Sequence, residues 1–144
     1  ILFLMIIDET DNLEYFLYKY NISKKDQKRA YAINNFYNDK NGLKTLNEAN
    51  LNKVLYYDGK QAVLDILNFK IIKTKKADKK LLSLLELYKN KITPSLPIGA
   101  DLLMSKYEIP EGRQLGSMLK LIEEEWIKNN FEISDKQIDN IVKG

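Results

Sequence analysis

The chain has no histidine and no cysteine. The first absence removes the commonest general base, and the second removes thiolate catalysis, disulfides and every Cys/His zinc site. Glycine, with 6 residues, and proline, with 3, are scarce, and no G-x-x-x-x-G-K phosphate loop occurs. Nucleotide hydrolysis is therefore not indicated. Long apolar runs are missing as well. The longest, Ile1 to Ile7, falls far short of the roughly 20 residues that cross a bilayer. It also lacks the basic start and small-residue cleavage site of a secretory signal, so a cytoplasmic location without membrane contact is expected. Arginine occurs only at Arg29 and Arg113.

What is there describes a globular chain. Its 144 residues are 44% hydrophobic and 30% charged, enough for one ordinary domain or two small helical units with a real core. The net charge of +3 needs only a solvated surface, but its distribution is uneven. Lys70, Lys73, Lys75, Lys76, Lys79 and Lys80 crowd one stretch, whereas Glu123, Glu124 and Glu125 concentrate the opposite sign. The uncapped apolar run at Ile1 reads as the inside of a helix, so the chain reads as a fragment; Met5 as a true start is the alternative.

Helical spacing recurs throughout. Leu13, Phe16, Leu17 and Tyr20 predict a helix over 12–20, closed at Asn21. Ser23 with Asp26 resembles a capping box, followed by a helix carrying Ala30, Ile33, Phe36 and Tyr37. A helix over 47–57 breaks at Asp58-Gly59, and another runs from Lys60 to about Ile72 with Val63, Leu64, Leu67 and Ile71 inward. A fifth places Leu81, Leu84, Leu85, Tyr88 and Ile92 on one face and Lys75, Lys76, Lys79 and Lys80 on the other. Pro94 and Pro97 mark a connector. Beyond it come a short helix over 100–105, a turn at Glu108-Ile109, and a long helix opening at Pro110 with Leu115, Met118, Leu119, Ile122 and Trp126 inward. Ser134 with Gln137 caps a last helix, whose Ile138, Ile141 and Val142 dock on the body. Period-two alternation is nowhere sustained. The expectation is an all-α chain of about eight short helices, with a body-like region over 1–92 and a tail-like region over 93–144, and no sheet.

Candidate sites are few. Asp8 with Asp11, or Asp135 with Asp139, could approach one another on a helix and hold magnesium, but acids complementing a helix macrodipole are the simpler reading. The tyrosines could include a base-stacking platform, although core or rim packing explains most of their positions. Lysines on one exposed helical face can each neutralise a phosphate and release a counterion; the plain alternative is a solvated face. Gly112 and Gly116 are costly if they lie inside a helix and so need a reason. Tight helix packing is one. A phosphate meeting the helix N-terminus beside Arg113 is the other.

The most specific pattern is the run Leu96-Pro97-Ile98-Gly99-Ala100-Asp101-Leu102-Leu103, then Ile109-Pro110-Glu111-Gly112-Arg113-Gln114-Leu115-Gly116-Ser117-Met118-Leu119, then Glu124-Glu125-Trp126-Ile127. It resembles the C-terminal end of the bacterial tRNA nucleotidyltransferase and poly(A) polymerase family, the CCA-adding enzymes. That tail reads roughly P-L-x-G-x-D-L, a spacer, P-G-x-x-x-G-x-x-L and W. Gly99, Asp101, Leu102, Gly112, Gly116, Leu119 and Trp126 match it, and Pro97 stands one residue closer to Gly99 than the pattern's proline. Upstream, Leu55-Tyr56-Tyr57-Asp58-Gly59-Lys60-Gln61-Ala62-Val63-Leu64-Asp65 is similar to the family's L-Y-R-x-G-x-E-A-x-x-D junction.

The resemblance implies a transferase whose α/β head adds nucleotides to an RNA 3′ end with magnesium and ATP or CTP, and whose helical body and tail hold tRNA. The head's G-S-x-x-G and D-x-D signatures are missing here. So is the base-selecting aspartate and arginine pair. The implied role of this chain is therefore tRNA or other RNA binding, with no cofactor of its own and no catalysis. The expected RNA-binding residues are Lys73, Lys75, Lys76, Lys79, Lys80, Gly112 and Arg113. Three departures stand out: a longer spacer before Pro110 without the usual L-G pair, Glu111 where a neutral residue is usual, and lysine where relatives use arginine. Lysine supplies a point charge without bidentate geometry. The second expectation is an assembly module, pairing with a separately encoded head, or with itself, through residues 1–7. The third is a truncated remnant without a role.

Overall fold

The computed structural model describes residues 12–38, 46–74 and 78–143. Among these it is all-α, with eight helices and no strand. They are α1 (Leu13–Lys19), α2 (Lys24–Asn38), α3 (Glu48–Tyr57), α4 (Lys60–Thr74), α5 (Lys79–Asn90), α6 (Ala100–Tyr107), α7 (Arg113–Lys128) and α8 (Asp135–Lys143). Two compact units result. One comprises Ile1–Asn47 with Val54–Thr93, the other Glu48–Lys53 with Pro94–Gly144. The second unit thus takes the first part of α3 from the middle of the body-like region.

In the first unit α4 packs against both α2 and α5. Its Ala62, Val63, Ile66, Leu67 and Phe69 are all buried, a broad inward face such as a helix packed between two neighbours needs. α2 contributes Ala30, Ile33 and Phe36, and α5 contributes Leu81, Leu84 and Tyr88. The stops are local chemistry. Asn21, at φ 46, closes α1 as a left-handed residue, with Ile22 N–H on Leu17 C=O and Asn21 N–H on Tyr18 C=O. Gly59, at φ 87, lets the chain turn from α3 into α4. Ser23 Oγ accepts from Asp26 N–H at 3.2 Å and so caps α2. The sequence reading puts Ile92 inward, yet it is 81% exposed. Helix α5 ends at Asn90 and Lys91 is already extended, so the 3.6-residue period does not reach Ile92.

In the second unit Ile98, Leu103, Ile109, Leu115, Ile122 and Ile138 form the core, with Met118, Leu119, Ile141 and Val142 packed against it. Helix α7 lies against both α6 and α8. Its start differs from expectation. Pro110 lies in the preceding loop and the helix opens at Arg113, because Gly112 sits at φ 149, ψ −164, outside any helical conformation. The other end of α7 is a full Schellman stop: Asn130 N–H donates to Ile127 C=O and Phe131 N–H to Trp126 C=O. The accompanying apolar contact is the Trp126–Phe131 ring pair, edge-on with centroids 5.0 Å apart. Ser134 and Gln137 form a reciprocal capping box on α8, Ser134 N–H donating to Gln137 Oε1 at 2.9 Å and Gln137 N–H to Ser134 Oγ at 3.4 Å.

Candidate nucleic-acid interface

The expected RNA-binding residues fall on both units. Lys73 lies in the last turn of α4, and Lys79 and Lys80 open α5, so these three flank one inter-helix connection in the first unit. All three are exposed, and none pairs with a carboxylate among the described residues. Lys75 and Lys76 lie outside the described residues, as do Asp8, Asp11 and the proposed pairing edge at 1–7. Gly112 and Arg113 belong to the second unit, as the cap and first residue of α7.

Not all of these lysines need a ligand to explain them. Lys73 stands at a helix C-terminus, where the macrodipole favours a cation, and its Nζ lies over the Phe69 ring at 5.0 Å. Lys79 and Lys80 are the opposite case. They occupy the first turn of α5, which has no acidic residue, and each cation there opposes the positive helix end by about 0.3–1 kcal/mol. Asp78 offsets part of this by capping, its Oδ1 accepting from Lys80 N–H at 2.9 Å. Two lysines are thus held where helix stability disfavours them, with their ammonium groups in solvent.

At α7, packing does not explain the glycines. A Cβ built on Gly112 or on Gly116 meets no atom within 4 Å. The tight-packing explanation therefore fails. Gly112 is required by its positive φ, while Gly116 occupies an open, exposed place in the first helical turn. Arg113 beside it is exposed and makes no ion pair among the described residues.

The other arginine is spent internally. Arg29 Nε donates to Asp65 Oδ2 at 2.6 Å and a terminal nitrogen to Asp65 Oδ1 at 2.8 Å, a bidentate clamp joining α2 to α4. Gln61 Nε2 donates to Asp65 Oδ1 at 3.0 Å, and Asp26 takes Arg29's remaining nitrogen at 3.1 Å. The hydrogen bond to Asp65 pushes the guanidinium further above its ordinary value, against the opposing effect of partial burial. Sequence reading quotes Gln61 and Asp65 only as part of a motif. The signal for the clamp is Asp65 itself, a carboxylate within the apolar run Ala62–Leu67 that burial obliges to find a partner.

No convergent metal site appears: among the described residues no group of three or more His, Cys, Asp or Glu could hold an ion. Asp135 pairs with Lys106 at 3.4 Å, and Asp139 accepts from the Tyr107 hydroxyl and pairs with Lys143 at 3.8 Å, so both carboxylates are engaged by other groups. None of the described helices is long and apolar enough to cross a membrane. No family model, no curated protein and no solved structure matches the chain.

Proposed function

We propose that this chain is an RNA-binding portion of a tRNA nucleotidyltransferase or poly(A) polymerase, holding tRNA for CCA or A addition by a catalytic head outside it. The observation that carries the reading is the placement of Lys79 and Lys80. They are solvent-facing, unpaired with any carboxylate among the described residues, and set against the dipole of α5, where only an external anion would reward them. The ordered G-x-D-L, G-x-x-x-G and Trp126 pattern supports the family reading, and the exposed Gly112-Arg113 start of α7 supplies helix-end N–H groups and a guanidinium to a phosphate. Recognition is by shape and phosphate rather than base edges. Without histidine, cysteine or the head's signatures, the chain grips and does not catalyse.

The test is tRNA binding measured against salt. If four of these cations each neutralise a phosphate, log Kd rises with log salt at a slope of about 3–4. Affinity that is indifferent to salt between low and moderate ionic strength overturns the proposal.

A further inference from the structure

Helix α1 turns its aromatic side chains the wrong way for a core. Leu13 and Leu17 are buried, yet Tyr15 is 59% exposed, Tyr18 87% and Tyr20 55%. Tyr15 and Tyr18 are three apart and share the outward face of the helix. Tyrosine is a mediocre helix former, so three of them within six residues serve neither propensity nor burial. One cation lies against them, and Glu14 is the one carboxylate of α1. Lys19 Nζ lies over the Tyr15 ring at 5.4 Å and the Tyr20 ring at 5.9 Å, and Tyr20 stacks nearly parallel on Phe16 with centroids 5.7 Å apart. Just beyond the Asn21 turn, Lys24, Lys25 and Lys28 follow on α2, while the nearby carboxylate Asp26 is engaged by Ser23 and Arg29.

We infer that this face is a stacking platform for unpaired bases of a single-stranded RNA segment, a binding surface separate in chemistry from the phosphate-gripping lysines of α5. Exposed rings interleaved with lysines suit a strand that offers base faces and phosphates alternately. A duplex hides its base faces and is a poor ligand for it. The inference rests on the RNA reading above but concerns different residues and a different property of the ligand.

The experiment uses the full chain with two labelled probes, a short mixed-sequence single-stranded oligoribonucleotide and an RNA duplex, and compares wild type with Tyr15→Ala/Tyr18→Ala and Tyr15→Phe/Tyr18→Phe. Circular dichroism checks that the variants fold. The alanine pair is expected to weaken single-strand binding about thirtyfold or more, because two base stacks are lost. The phenylalanine pair keeps the affinity, since it keeps the π faces, and duplex binding stays at the wild-type level in both variants. Equal loss for both probes, or no loss, overturns the platform while leaving the RNA reading standing. If wild type binds neither probe, the platform falls; if it binds no tRNA either, the RNA reading falls with it. Nitration of Tyr15 and Tyr18 should be fast in the isolated protein and slowed by the single strand. Slow nitration without RNA means that this face is already covered by protein, which also overturns the inference.

Discussion

The two arginines of this chain divide structure from surface. Arg29 ties α2 to α4 through Asp65, whose side chain is only 9% exposed. Removing the guanidinium leaves that buried carboxylate facing only the neutral amide of Gln61 among the described residues, so Arg29→Ala is expected to cost about 3 kcal/mol, seen as a lower urea midpoint with an unchanged slope. Its effect on tRNA affinity should be negligible, which separates this arginine from Arg113. Gly116 offers the reverse experiment. With nothing within 4 Å of a built Cβ and no positive φ, Gly116→Ala relieves the glycine's helix penalty and should raise stability by about 1 kcal/mol. If the same variant weakens tRNA binding, the bare backbone was serving a ligand. If affinity is unchanged, the glycine has no binding role. Phe131 shows what local order can tolerate: at φ 69 a bulky aromatic is strained, and its ring contact with Trp126 offsets that strain. Sequence shows that Asp65 needs a partner, but not which one, nor the space around Gly116 or the backbone of Phe131. A partner 36 residues away, an empty neighbourhood and a left-handed phenylalanine are properties of the tertiary structure.

Helices were far more legible than their neighbours. Ser23, Asn21, Asp58-Gly59 and Ser134 with Gln137 mark boundaries because capping is decided within a few residues, and the inward stripes of α2 and α7 follow from spacing alone. The misplacements at Pro110 and Ile92 have one cause: a periodic pattern does not reveal where the backbone leaves the helix, and Gly112 and Lys91 do so. Likewise the recruitment of Glu48–Lys53 to the second unit depends on contacts far along the chain, among them buried Asn52 donating to Asn130 at 3.1 Å. Of the candidate interface, sequence identified the charges, and structure separates Lys73, which its own helix explains, from Lys79 and Lys80, which α5 does not. That distinction yields a sign test. Lys79→Glu/Lys80→Glu places acids at the N-terminus of α5 and should stabilise the fold by about 0.5–2 kcal/mol, while tRNA affinity falls at least tenfold. Stability and binding moving in opposite directions is the expected outcome. A variant that is more stable and binds tRNA as well as wild type removes these lysines from the interface.

Across the whole molecule, charge is what remains once reactive groups are set aside, and its pH behaviour follows from composition. With neither histidine nor cysteine, no side chain of ordinary pKa changes charge between about pH 5 and 8, so stability and the proposed lysine-driven RNA affinity should both be flat there. The slopes come at the extremes, and one hydrogen bond contributes to both. The Tyr107 hydroxyl donates to Asp139, which holds that carboxyl below the usual carboxylate range, with Lys143 and Lys106 adding to the effect. A depressed folded pKa gives stability that is present above the unfolded value, near 3.9, and is lost as pH falls through the folded one. The same bond pushes Tyr107 above its ordinary value, so its contribution is present below about pH 10 and is lost as pH rises through the raised folded pKa. Tyr107→Phe removes both. Chemical denaturation across pH should then show the variant less stable than wild type on the neutral plateau and converging with it at both ends. A constant offset at every pH would mean that the hydroxyl contributes packing alone and that the acid and alkaline limbs belong to other groups.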